Sequence, residues 1–147
     1  MSAPGYSCYL LHNPQNDTTY NGSTNNTTRR LRQHNGEISG GARSTKRLAG
    51  AWRYLAIVTA DPPLEHNEAL SLEWHIRYPT GRKPRPRSFA GPIGRLRGLC
   101  MSLDNPKFAG HAFRVVLDPA YSSFLDSTLP SSLAPNSAWE LMPQGPT

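Results

Sequence analysis

Cysteine is scarce in this chain. Cys8 and Cys100 are the only two among 147 residues. They lack the close spacing of a metal-binding pair, which excludes a structural zinc module. Both read instead as small buried apolar residues, Cys8 in a strand and Cys100 in a helix. No apolar run approaches the roughly 20 residues that cross a bilayer, so no membrane partner is expected. Residues 1–5 carry neither a basic region nor a long apolar segment, so secretion is not indicated. The Asn-x-Ser/Thr triplets at Asn16, Asn21, Asn25 and Asn26 then read as turn chemistry rather than glycan acceptors. No internal repeat is visible. Acids are also in short supply, with 10 Asp and Glu against 16 Lys and Arg, a formal net charge of +6.

The placement of that charge is more informative than its size. Arg29, Arg30, Arg32, Arg43, Lys46, Arg47 and Arg53 form one block, with Glu37 the acid among them. Arg77, Arg82, Lys83, Arg85, Arg87, Arg95 and Arg97 form a second block without an acid inside it. The acids Asp104, Asp118, Asp126 and Glu140 come later. Two arginine-rich, locally unbalanced blocks suit a polyanion laid across one face, so nucleic acid is the expected partner.

Hydrophobic periodicity divides the chain into short elements. Tyr6–His12 reads as a strand, Asn13–Asp17 as a turn and Thr18–Ser23 as a second strand, together a hairpin. Tyr9 and Tyr20 lie in its two arms and could share a face if the register allows. Thr27–Asn35 reads as a helix after an Asn/Thr-rich cap, stopped by Gly36. Arg30 and His34 share one side of it and Leu31 packs inward. Residues 36–50 read as a basic, glycine-bearing loop. Trp52–Thr59 is a near-continuous apolar run, as expected of a central strand buried on both faces. Asp61-Pro62-Pro63 breaks the chain. Leu64–Arg77 reads as a helix with Ala69, Leu72 and Ile76 inward. Pro79–Pro92 reads as a basic, proline-rich loop, and Pro92 opens a helix to Leu103 with Ile93, Leu96, Cys100 and Leu103 at core spacing. His111–Leu117 is strand or helix, Pro119–Leu129 helix, and Ala138–Met142 a short last strand. The expected fold is α/β: a small mixed β-sheet flanked by helices, in the order β-β-α-β-α through its first half.

Four residue types could carry chemistry. Glu73 lies in the mostly apolar run Ala69–Ile76, and a carboxylate there needs a cation or hydrogen bonds. It is either a helix-surface or ion-paired residue, or a ligand for one divalent ion. A single carboxylate suits magnesium, which keeps waters and takes substrate oxygens as ligands. Arg30 offers a planar cation to a phosphate, while Arg29 and Arg32 lie on other sides of the helix and suit backbone positioning. Tyr9 and Tyr20 are ordinary strand aromatics in isolation, and a phenol with pKa near 10 is a poor base unless cations or a metal assist it. His34 is a second base or phosphate donor, or a helix-end hydrogen-bonding group.

Taken together these residues are recognisable. Ser7-Cys8-Tyr9-Leu10-Leu11, Tyr20-Asn21-Gly22, Arg29–Gly36, Gly40–Lys46, Trp52 and Leu72-Glu73-Trp74 resemble, in order and spacing, the GIY-YIG nuclease superfamily. Among its members the SLX1-type structure-specific endonucleases look most similar, over residues 6–79. The resemblance implies a GIY-YIG-like nuclease core over residues 1–82, with residues 83–147 a helical extension packed on the same domain. It implies Tyr9 and Tyr20 as the paired motif tyrosines, Arg30 as the catalytic arginine, His34 as the motif histidine and Glu73 as the ligand of one Mg2+ or Mn2+ ion. It further implies hydrolysis of phosphodiester bonds in branched DNA, whether flap, fork or four-way junction, leaving 5′-phosphate and 3′-hydroxyl ends. Arg29, Arg32, Arg43, Lys46, Arg47, Arg82, Lys83, Arg85 and Arg87 are the expected DNA contacts. A noncatalytic DNA-binding module and a site-specific restriction or mobile-element nuclease are the alternatives. The chain departs from the pattern at Ser7-Cys8, where Gly-Ile is usual, and at Asn21, where an apolar residue is usual. SLX1-type proteins also carry a cysteine-rich zinc module that docks a scaffold protein, and two cysteines cannot build one, which leaves a scaffold partner open, as is a homodimer. The expected place of action is the nucleus, or wherever the genome is replicated, including a host cell if the source is a virus.

Overall fold

The computed structural model describes residues 5–46, 48–127 and 136–143. Arg47, one of the expected DNA contacts, lies outside the described residues, as do positions 128 and 129 of the expected helix after Pro119. The hairpin forms as expected. Strand β1 (Ser7–Asn13) pairs antiparallel with β2 (Thr18–Thr24), with Leu10 opposite Asn21 and Tyr9 opposite Gly22. Asn13 and Asn16 close the turn, their side-chain oxygens accepting from the backbone of Gln15 and Thr18. Side chains alternate across a strand. Tyr20 and Gly22 therefore share the face of Tyr9, and Asn21 and Ser23 share the other.

Helix α1 (Thr27–His34) starts where the Asn26 side chain accepts from the Arg29 N–H. The Asn35 side chain closes its far end, donating to the Trp52 carbonyl and accepting from the Gly50 and Trp52 N–H groups. The basic loop that follows is not irregular throughout, because Arg43–Lys46 forms one helical turn, α2. Strand β3 (Arg53–Asp61) is central, with β1 and then β2 on one side and β4 (Ala112–Leu117) and then β5 (Ser137–Leu141) on the other. It runs antiparallel to β1 and β4, while β4 and β5 are parallel, so the sheet is mixed.

The apolar run in β3 has a specific origin. Its register against β1 shifts between Leu10 and Leu11, which pair with Ala56 and Tyr54 and leave Leu55 as the extra residue. The bulge interrupts the alternation. Leu55 and Ala56 both join the larger core, while Tyr54 and Ile57 pack against the smaller one. Two cores on two faces follow. Helices α3 (His66–Arg77) and α4 (Gly91–Leu103) cover the larger through Ala69, Leu72, Ile76, Leu96, Leu99 and Leu103. The other face carries Tyr9, Leu11 and Trp52, with Leu31 of α1 packed against them.

Several boundaries differ from the sequence reading. Helix α3 begins at His66 because Glu65 and Glu68 form a reciprocal capping box, and Leu64 instead bridges to Tyr6. Ile93 is exposed in the first turn of α4, and Leu99 takes the core position. His111–Leu117 resolves to strand β4. After a short 3-10 turn at Pro119–Tyr121, α5 spans Ser122–Ser127. The segment after residue 82 is thus more than helical, since it contributes two strands to the same sheet. Cys8 and Cys100 are free and buried, in β1 and α4.

Leu72 is fully buried in α3 one residue before Glu73. Leu72→Ala is expected to cost about 2–5 kcal/mol. Urea unfolding should show a lower midpoint at unchanged slope.

Candidate active site

Gly22 is needed for space rather than for backbone freedom. A Cβ on Gly22 would lie 2.5 Å from the Tyr9 hydroxyl oxygen and 2.8 Å from its ring carbon. Tyr9 therefore lies flat across the partner strand, and its hydroxyl reaches His34 on α1, with the Tyr9 oxygen 2.7 Å from His34 Nε2. Both side chains are essentially inaccessible to solvent. His34 Nδ1 is 2.7 Å from Thr45 Oγ1 in α2. The Thr45 hydroxyl donates to the Ala42 carbonyl at 3.0 Å. Thr45 Oγ1 thus has only lone pairs left for the imidazole, so Nδ1 carries the hydrogen and Nε2 is free to accept. The Tyr9 hydroxyl then donates to His34.

Arg30 meets the same oxygen from the other side, Nε donating to the Tyr9 hydroxyl at 3.3 Å. Its Nη1 donates to Gln33 Oε1 at 2.9 Å and to the Gly40 carbonyl at 2.8 Å. Gly40 has φ +108°, a conformation that favours glycine, so its carbonyl is aimed by residue type. Arg30 Nη2 makes no hydrogen bond among the described residues. Tyr20 stands with its ring 5.1 Å from that of His34 and is half-buried. The α1 face thus brings together four of the expected residues, Tyr9, Tyr20, Arg30 and His34.

Electrostatics fix their protonation. Burial, with the Arg30 cation adding to it, lowers the His34 pKa to about 4. The ring is therefore neutral near pH 7 and able to accept. Burial pushes the Tyr9 phenol well above its ordinary value, against the opposing pull of Arg30. Tyr9 is accordingly a neutral phenol in the resting site.

Glu73 enters from the opposite face. Asn21 on β2 donates its amide to the Glu73 backbone carbonyl at 3.0 Å, and Ser23 donates to the carboxylate at 3.4 Å. β2 is an edge strand of the sheet, so the carboxylate lies beside it rather than across a layer of sheet. A cleft of about 890 Å3 spans this edge, and Tyr20, Asn21, Arg43, Trp52 and Glu73 are among its lining residues. Glu73 is half-buried and makes no ion pair within 4.0 Å among the described residues. Burial raises its pKa, against weaker opposition from Ser23, Arg77, Arg30 and His66. A half-desolvated, unpaired carboxylate in a cleft is a suitable oxygen ligand for a hard cation. No group of three or more His, Cys, Asp or Glu converges among the described residues, and Glu73 is the one carboxylate among the cleft's described lining residues.

The expected DNA contacts are mostly exposed. Arg29, Arg32, Lys46, Arg82, Lys83 and Arg87 are exposed. Arg32 is paired with Glu37 at 3.6 Å, and Lys83 sits over the Tyr78 ring. Arg43 and Arg85 line the cleft itself. Two participants escaped the sequence reading. Thr45, which sets the His34 tautomer, lay in what read as loop. Arg95, buried on α4 and lining the cleft, counted only as surface charge. Its position one turn before Leu99 and two before Leu103, on the apolar stripe, was the available signal.

Residues 5–85 match the family described as the GIY-YIG catalytic domain. The chain is 43% identical over 76 residues to a structure-specific endonuclease subunit slx1 from Schizosaccharomyces japonicus, covering 50% of this chain and 27% of that protein. It is 42% identical over 76 residues to the protein of the same name from Botryotinia fuckeliana, covering 50% of this chain and 18% of the relative. A structure-specific endonuclease subunit SLX1 homolog from Leishmania infantum is 44% identical over 61 residues, 42% of this chain and 8% of that protein. The matched segments are thus about a quarter or less of these relatives' length.

Two outcomes follow from the geometry. Gly22→Ala forces Tyr9 off its seat and is expected to cost about 1–3 kcal/mol by overpacking, measured by thermal or urea unfolding. The second concerns pH. The folded His34 pKa of about 4 lies below the unfolded value near 6.5. Its contribution to stability is complete above about pH 6.5 and is lost as pH falls towards about 4, because the unfolded chain takes up the proton first. Glu73, raised in the fold, acts in the opposite sense, so the comparison with His34→Gln isolates the histidine. Between about pH 7 and about pH 4.5 the wild type should lose on the order of 2 kcal/mol more than His34→Gln. Equal losses would remove the buried neutral histidine from the account.

Proposed function

This chain belongs to the GIY-YIG catalytic-domain family, and on that premise we propose that it is a divalent-metal-dependent, structure-specific endonuclease that hydrolyses phosphodiester bonds in branched DNA. The observation that carries the reading is the hydrogen-bonded line Thr45–His34–Tyr9–Arg30 beside a cleft that also holds the unpaired Glu73 carboxylate. A noncatalytic DNA-binding module has no use for a buried imidazole held in one tautomer against a phenol. Relatives named as structure-specific endonuclease subunits support the choice of branched substrate.

The residues divide the work as follows. Arg30 Nη2 takes a nonbridging oxygen of the scissile phosphate and neutralises the charge that grows there during attack. The Tyr9 hydroxyl already donates its hydrogen to His34, and its oxygen accepts from Arg30. One lone pair remains, and it accepts a proton from the attacking water while the phenol passes its own to His34 Nε2. The imidazolium so formed is costly in this buried site, and the arriving phosphate offsets that cost by its opposite charge. Tyr20, at the cleft wall, orients the water and the phosphate. Glu73 would hold one Mg2+ or Mn2+ ion, which supplies Lewis-acid stabilisation of the phosphate and the leaving oxygen. Arg29, Arg32, Arg43, Lys46, Arg82, Lys83, Arg85 and Arg87, with Arg47, hold the DNA backbone. No described helix is long and apolar enough to cross a membrane. Action on the replicating genome places the enzyme with that DNA, in the nucleus for a eukaryotic chromosome.

The deciding experiment is a panel of labelled linear, flap, fork and four-way DNA, with magnesium and with chelator. Cleavage of the branched substrates is expected, abolished by chelator. Glu73→Gln and Arg30→Ala should each lower kcat by about 100-fold or more while DNA binding largely persists. Full activity in both purified variants would sink the assignment. Cutting of linear duplex at one sequence would move it to a site-specific nuclease.

A further inference from the structure

Arg95 is the least expected charge in the molecule. It sits on α4 with 3% of its surface exposed, facing β2 from the side opposite Tyr9. Its Nη2 donates to Asn21 Oδ1 at 2.5 Å. Its Nε and Nη1 are buried and have no hydrogen-bond partner among the described residues. No carboxylate lies within ion-pairing distance of it there. The charges that weigh on it, Arg85 and Arg77, are of its own sign. Arg77 at the end of α3 and Arg85 in the proline-rich loop line the same cleft, and neither makes an ion pair among the described residues. Arg77 lies over the Tyr78 ring at 5.4 Å. Glu73 is the carboxylate of this cleft, and its hydroxyl partner is Ser23 rather than any of the three arginines.

Burying a guanidinium costs several kcal/mol unless an anion and hydrogen-bond acceptors meet it. Here one neutral amide does so, and two further cations make the position worse. Burial, then Arg85 and Arg77, lower the Arg95 pKa to about 9. A fold that retains such a group leaves it short of one negative charge.

We propose that Arg77, Arg85 and Arg95 form a second anion site in the cleft, on the far side of β2 from Arg30, that takes a backbone phosphate of the nucleic-acid strand away from the cut. The proposal rests on the nucleic-acid reading above and adds to it a fixed point of strand registration. Arg95 supplies the floor of the site, and the more exposed Arg77 and Arg85 close on the phosphate from its mouth. The site also accounts for Asn21, which stands where an apolar residue is usual. Its oxygen holds Arg95 and its amide nitrogen holds the Glu73 carbonyl. The second phosphate is thereby tied to the strand and helix that carry the scissile-phosphate chemistry.

The test is binding, measured without cleavage. Fluorescence anisotropy of a labelled flap DNA with the full chain in chelator gives affinity across a salt series. Arg85→Gln and Arg95→Met should each weaken wild-type binding about tenfold and reduce the salt slope by about 0.9. A single neutral methylphosphonate linkage is then walked along the strand. One position other than the scissile one should cost the wild type about tenfold and cost Arg85→Gln nothing further. Should Arg95→Met fail to fold, shown by loss of its circular-dichroism melt, Arg77→Gln and Arg85→Gln decide the matter alone. Unchanged salt slopes in those two variants, or the same methylphosphonate penalties in variant and wild type, overturn the second site and leave the nuclease reading standing. A wild type that binds DNA with no salt dependence removes both.

Discussion

The 2.7 Å contact between the Tyr9 hydroxyl and His34 Nε2 joins the first strand to the first helix at a point neither can shift. Each partner is buried, so each must find its hydrogen bond inside the protein. Tyr9 can reach because residue 22 has no side chain, and His34 can accept because Thr45 occupies its other nitrogen. Thr45 in turn is held by the Ala42 carbonyl, and its own carbonyl accepts from the Trp52 indole. One phenol thus fixes the hairpin, α1, the single turn α2 and the entry to β3. Arg30 is aimed as a by-product, since the oxygen it meets cannot move.

The edge position of β2 lets both faces of the sheet reach one cleft. Had β2 been covered by another strand, the sheet would separate the Tyr9 face from the Glu73 face. As it is, a cleft passes over the edge and gathers side chains from both. Asn21 and Ser23 on one side and Tyr20 and Gly22 on the other make β2 a divider whose alternate residues serve different halves of the site.

Much of this was legible in the residues. The hairpin, α1 and α3 announced themselves through turn residues, an Asn cap and helical spacing. Arg30 and His34 at four-residue separation gave the shared face. Glu73 stood out as a carboxylate in apolar company. What stayed hidden depends on long-range packing. Register decides whether Tyr9 and Tyr20 share a side, and only the pairing of Tyr9 with Gly22 supplies it. The bulge at Leu55 is set by β1, which explains why β3 reads as continuous rather than alternating. Helix α2 is four residues long, too short to show periodicity. Arg95 escaped because arginine is ordinarily a surface residue, and its amide partner lies 74 positions away.

The position of β5 has a consequence for the cleft. β5 forms the edge opposite β2, four strand spacings away, or about 19 Å at the usual interval. None of the described residues lining the cleft belongs to β4 or β5. The cleft and the β5 edge thus occupy opposite margins of one sheet, so a change at the far border is felt at the cleft only through the strands between them.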